Sequence, residues 1–94
     1  MAEVRILLQF TAESPEKADG LVQALAARCP DVQKEPGCLQ FEAFRSVLRP
    51  ETYALVELWE SQEALDVHER AMGPRTPNPG VTRTSEHYEY KRLH

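Results

Sequence analysis

Tyr53-Ala54-Leu55-Val56-Glu57-Leu58-Trp59-Glu60-Ser61, with the earlier Glu35-Pro36-Gly37-Cys38-Leu39-Gln40-Phe41-Glu42-Ala43-Phe44-Arg45-Ser46, decides the fold. Pro36-Gly37 is a turn signal, after which Leu39, Phe41 and Ala43 alternate with Gln40, Glu42 and Phe44, the period of two that a strand imposes. Arg49-Pro50-Glu51 reads as the bend of a hairpin. Beyond it Ala54, Val56 and Leu58 alternate with Tyr53, Leu55, Glu57 and Trp59, giving a second strand with one aliphatic and one mixed aromatic-polar face.

Working outward, Val4, Ile6, Leu8 and Phe10 alternate with Arg5, Leu7, Gln9 and Thr11 in a first strand. Ser14 offers an N-cap oxygen, Pro15 suits the first helical position and Glu16 suits the positive helix end, so a helix starts here. Ala18, Leu21, Val22, Leu25, Ala26 and Cys29 form its apolar stripe, and Pro30 ends or bends it. Ser61 caps a second helix with Ala64, Leu65, His68, Ala71 and Met72 on one side. Gly73 to Gly80, with three prolines, is a loop, and Val81 to Leu93 is a last strand with Tyr88 and Tyr90 on one side and His87 and Glu89 on the other.

Strand, helix, strand, strand, helix, strand is the ferredoxin-like split βαβ order, an α+β fold of one domain over residues 1–94. Two helices cover only one face of such a sheet. The aliphatic sets Val4/Ile6/Leu8/Phe10, Leu39/Phe41/Ala43 and Ala54/Val56/Leu58 suit that covered face. The second face then carries Leu7, Gln9, Glu42, Phe44, Leu55, Glu57 and Trp59, too apolar for water and too polar for a dry core. Packing it on its own copy gives a homodimer with a polar-lined pocket between the sheets.

The Pro-Gly-Cys turn, the aromatic-and-Arg strand, the strand ending Trp59-Glu60-Ser61 and the helix Ala64-Leu65-Asp66-Val67-His68 together resemble the antibiotic biosynthesis monooxygenase family. The resemblance implies a dimeric α+β barrel and oxidation by molecular oxygen with neither metal nor flavin. It also implies a pocket at Trp59 and a histidine at the position of His68. A second histidine, which the family pattern often has just after this helix, is absent from Ala71-Met72-Gly73-Pro74-Arg75.

Composition bounds the rest. A formal net charge of -4, a pI near 5.3 and scattered Lys and Arg disfavour nucleic-acid or anionic-membrane partners. Glu3 and Arg5 interrupt any leader-like apolar run, which leads us to expect cytoplasmic residence. Cys29 and Cys38 fit no zinc spacing and read as small buried hydrophobes, with a disulfide or a reactive thiol as the alternatives. No Gly-rich phosphate loop or nucleophile elbow is present.

A cofactor-free oxygenase needs an electron-rich substrate, because triplet oxygen reacts slowly with singlet molecules. Trp59, His68 and Glu57 are the catalytic candidates: an indole that stacks and donates, an imidazole that titrates near neutrality, and a carboxylate that serves as base. The bland readings are a structural Trp plug, a hydrogen-bonded core His and a Glu paired with an arginine. Gln9, Glu42, Phe44 and Leu55 are the candidate substrate contacts, against plain interface packing. The expected function is cofactor-independent oxidation of a phenolic or quinol-type aromatic by oxygen. The alternatives are a ligand-binding or structural dimer without chemistry, and haem degradation with His68 as ligand.

Overall fold

The computed structural model describes residues 2–74 and 78–92. The elements are β1 (Glu3–Ala12), α1 (Pro15–Gln33), β2 (Cys38–Arg45), β3 (Thr52–Trp59), α2 (Gln62–Met72) and β4 (Val81–Tyr90). They form one antiparallel sheet in the order β2-β3-β1-β4, the ferredoxin-like arrangement expected. β4 ends at Tyr90 within the described residues, and Leu93, its expected last residue, lies outside them, as do positions 75–77 of the loop. No described helix is long and apolar enough to cross a membrane.

Both helices begin as the sequence dictates. Ser14 Oγ accepts from the Lys17 amide at 3.1 Å with Pro15 behind it, and Ser61 Oγ accepts from the Ala64 amide at 3.1 Å. α1 does not end at Pro30 but continues to Gln33. Pro30 removes one helical N–H, yet packing beyond it outweighs that loss: Val32 is buried in the core, and Gln33 Nε2 donates to the Phe41 carbonyl at 2.9 Å. Val32 thereby joins the buried stripe, while Ala26 stays exposed.

The faces of the sheet correct one expectation. β1 and β3 pair Val4 with Trp59, Ile6 with Glu57, Leu8 with Leu55 and Phe10 with Tyr53, and residues directly opposed across strands share a face. Val4, Leu8, Leu55, Trp59 and Phe41 form the core with Cys29 and Val32 of α1 and Leu65 of α2. The mixed face of β3 therefore lies under the helices, and the aliphatic set Ala54, Val56 and Leu58 lies on the outer face. Gln9, Glu42 and Phe44 share that outer face, opposite to Glu57, Trp59 and Leu55. In β2 a bulge between Cys38 and Gln40 leaves Leu39 without a pairing partner and half-exposed, so it leaves the covered set as well.

The turn before β2 is tightly seated. Gly37 has φ +83°, and a Cβ there would stand 2.5 Å from Ala64 Cβ and 3.0 Å from Glu60 Cγ. Gly37→Ala should lower the stability by about 2 kcal/mol or more, from left-handed strain and overpacking together. Gly20 is exposed within α1 and has no atom within 4 Å of its notional Cβ, so Gly20→Ala should raise it by about 0.5–1 kcal/mol. Urea midpoints of the two variants are expected to move in opposite directions.

Candidate functional site

Leu65 and His68, three residues apart on α2, both turn toward the sheet and are buried. The His68 ring lies 4.7 Å from the Trp59 ring at 31° and 5.7 Å from Phe41 at 65°. Its Nδ1 is 2.7 Å from Glu35 Oε1, a carboxylate brought by the turn between α1 and β2. On β3, Glu57 is 5% exposed, and the Trp59 indole N–H donates to its Oε1 at 2.9 Å. No buried side-chain nitrogen or oxygen among the described residues lacks a partner.

His68 and Glu57 line a cavity of about 770 Å³ between the sheet and the two helices. Its depth is apolar, from Leu8, Phe41, Leu55 and Leu65. Farther along, Phe10 stacks on Tyr53 with ring centroids 4.9 Å apart. Burial pushes the Tyr53 phenol above its ordinary value of 10.0, so it remains a neutral hydroxyl. Exposed Arg28, Glu69, Arg83 and Ser85 form the rim, where His87 Nε2 meets Gln62 Oε1 at 2.7 Å.

Of the residues singled out from sequence, the structure gathers His68, Glu57 and Leu55 at one cavity. Trp59 is wholly buried behind them: it is absent from the cavity wall, and its one donor is engaged by Glu57. Gln9, Glu42 and Phe44 lie across the sheet, where Gln40 Nε2 donates to Glu42 Oε1 at 3.0 Å and Phe44 is 48% exposed. The cavity that gathers His68, Glu57 and Leu55 thus lies between sheet and helices, on the face opposite to Gln9, Glu42 and Phe44. Tyr90 also faces outward, with the Arg5 guanidinium 4.8 Å from its ring centre. Sequence reading missed Glu35, because nothing local ties a turn residue to a histidine 33 positions later. Tyr53 lines the cavity because its face of β3 is the covered one, and Arg83 and Ser85 line it from β4, where they pair with Phe10 and Leu8.

Cys29 and Cys38 are free thiols packed in or against the core. Burial pushes both above the ordinary thiol value, and the nearby Glu35 and Glu57 charges push Cys38 further. A raised pKa leaves less thiolate at neutral pH. Alkylation of the native protein, followed by mass spectrometry, should therefore be slower than that of a free thiol at about pH 7–8, and its rate should still be rising with pH where that of a free thiol has levelled off. Among the described residues no group of three His, Cys, Asp or Glu side chains is placed to hold a metal ion.

A sequence model described as antibiotic biosynthesis monooxygenase matches residues 4–74. No curated protein matches the chain. Among solved structures, a candidate antibiotic biosynthesis monooxygenase from Deinococcus radiodurans is 22% identical with a TM-score of 0.77, covering 97% of this chain and 95% of its own. SnoaB, a cofactor-independent oxygenase from Streptomyces nogalater, seen as a point mutant, is 17% identical at 0.66, covering 99% and 97%. The haem-degrader MhuD from Mycobacterium tuberculosis, with two haems in its active site, is 24% identical at 0.67, covering 96% and 98%. At such identities the likeness is one of fold.

Proposed function

The chain belongs to the antibiotic biosynthesis monooxygenase family, and from that premise we propose that it oxidises a phenolic or quinol-type aromatic with molecular oxygen in the cavity between its sheet and helices. One observation carries the reading: two groups able to hold or move a proton, His68 and Glu57, are set into an otherwise apolar depth of a cavity sized for a small organic molecule. Such surroundings exclude water and strengthen each polar contact made inside them.

His68 is the general base. With Nδ1 at a carboxylate, Nε2 is the nitrogen left to take a phenol proton. The resulting anion can surrender one electron to oxygen, and the radical pair then joins at a ring carbon bearing hydrogen. Cleavage of the O–O bond with loss of that hydrogen leaves a quinone carbonyl. The second oxygen atom departs as water with the phenolic and ring hydrogens, so atoms and electrons balance. Glu57, anchored by the Trp59 indole, presents carboxyl oxygen to a substrate hydroxyl. Leu55, Leu8 and Phe41 supply the apolar contact with the ring.

Oxygen uptake by purified protein with a panel of hydroquinones, anthrones and naphthols tests this. Turnover of at least one member is expected, and silence across the panel from folded protein would overturn it. A second reading, haem degradation, is favoured by the carboxylate on Nδ1, a partner that metal-binding imidazoles commonly have. His68 would then hold the iron and the apolar depth would face the porphyrin. A Soret shift on haem titration that is lost in His68→Ala would select it.

The outer face, with Leu7, Phe44, Val56 and Tyr88 only partly covered, supports a homodimer packed sheet to sheet. Phe44→Glu should shift sedimentation from dimer toward monomer, whereas a monomeric wild type would remove this part of the proposal.

A further inference from the structure

The Glu35-Pro36-Gly37 turn is the sequence's sharpest local motif, and the mechanism above uses only the carboxylate at its head, with no account of why the turn is built as it is. Its geometry is unusually well fixed. The Glu35 amide donates to the Val32 carbonyl at 2.9 Å, closing the end of α1, and the Cys38 amide donates to the Glu35 carbonyl at 3.1 Å, opening β2. The Glu60 amide donates to the Gly37 carbonyl at 2.8 Å, tying the turn to the residue before the α2 N-cap. Gly37 presses so closely on Ala64 that no side chain fits between them. The turn is thereby held against the first turn of the helix that carries His68.

Its consequence is chemical. Glu35, one-third exposed, sends its carboxylate inward to the Nδ1 of a ring that is 4% exposed. A neutral imidazole carries one N–H, and a carboxylate at Nδ1 recruits that proton, leaving the lone pair on Nε2. Free histidine side chains in water favour the opposite tautomer, with the proton on Nε2. The Trp59 and Phe41 rings confine the imidazole but offer no strong acceptor for choosing between its nitrogens.

We infer that Glu35 is a positioning residue: the turn exists to hold a carboxylate against His68 Nδ1, fixing the ring's tautomer and orientation so that Nε2 is the reactive nitrogen in the cavity. Its effect on turnover rests on the proposed oxygenase reading, but its effect on the ring does not.

Two-bond proton–nitrogen NMR of the imidazoles, with the His68 signal assigned by its loss in His68→Gln, reads the tautomer directly. Wild-type protein should carry the proton on Nδ1, and Glu35→Ala should move it largely to Nε2. Glu35→Gln, whose amide oxygen still accepts from Nδ1, should retain the wild-type tautomer. With an active substrate, Glu35→Ala should lower kcat by about 10- to 100-fold with KM nearly unchanged, the range typical of losing an orienting partner of a functional histidine. An unchanged tautomer in folded Glu35→Ala would overturn the inference. A changed tautomer in a protein that consumes no oxygen with any substrate would uphold it and defeat the oxygenase reading instead.

Discussion

Replacing His68 with glutamine should lower turnover by about 10²–10⁴-fold, the range that a positioned general base contributes, while leaving the protein folded. Glutamine fills much of the imidazole's volume, and its amide can donate to Glu35, so the contact with that carboxylate survives. What is lost is the ring nitrogen that takes the substrate's proton. His68→Ala removes the same nitrogen but also opens space beside Trp59 and Phe41 and strips Glu35 of its partner. It should therefore show the same kinetic loss together with about 1–3 kcal/mol less stability. Oxygen-uptake kinetics beside urea unfolding separate the two effects. If His68→Gln turns over like wild type, His68 is a core residue and the base lies elsewhere.

Trp59→Ala should bring the largest loss of stability of any single substitution, about 3–5 kcal/mol for the vacated ring volume. Trp59 is wholly buried at the meeting of β1, β3 and α2. The indole N–H also satisfies Glu57 in a place that is 5% exposed, and depriving a buried carboxyl of a donor adds about 1–3 kcal/mol. Against a total of about 5–15 kcal/mol for domains of ordinary stability, the variant should be largely unfolded or close to it. Trp59→Phe keeps one ring's packing and loses the donor and the second ring, so it should fold with a smaller penalty than Trp59→Ala. Urea unfolding of both variants, followed by far-UV circular dichroism, measures the difference. A Trp59→Ala protein as stable as wild type would contradict this account of the core.

The order of elements was legible because each boundary carries its own chemistry: Ser14-Pro15 and Ser61 at the helix starts, Pro36-Gly37 before β2, and the proline-rich run after α2. The faces of β3 were not. Polarity pointed Glu57 and Trp59 away from the helices, but their mutual hydrogen bond lets both be buried on the covered side, and the apolar Ala54, Val56 and Leu58 face outward. The candidate site inherited that ambiguity. His68, Glu57 and Leu55 meet at one cavity, Trp59 stands behind it, and Gln9, Glu42 and Phe44 lie across the sheet. Glu35 was out of reach for another reason, since only the folded turn brings it to α2.

The proposed oxygen chemistry lies on the helix side of the sheet, in the cavity that His68 and Glu57 line. Oxygen uptake with one active hydroquinone, compared between His68→Gln on that side and Gln9→Ala and Glu42→Ala on the other, tests it most directly. His68→Gln is expected to lose nearly all uptake and the two outer-face variants to keep it. Uptake that survives in His68→Gln and disappears in the outer-face variants would contradict this placement and put the reaction between the sheets.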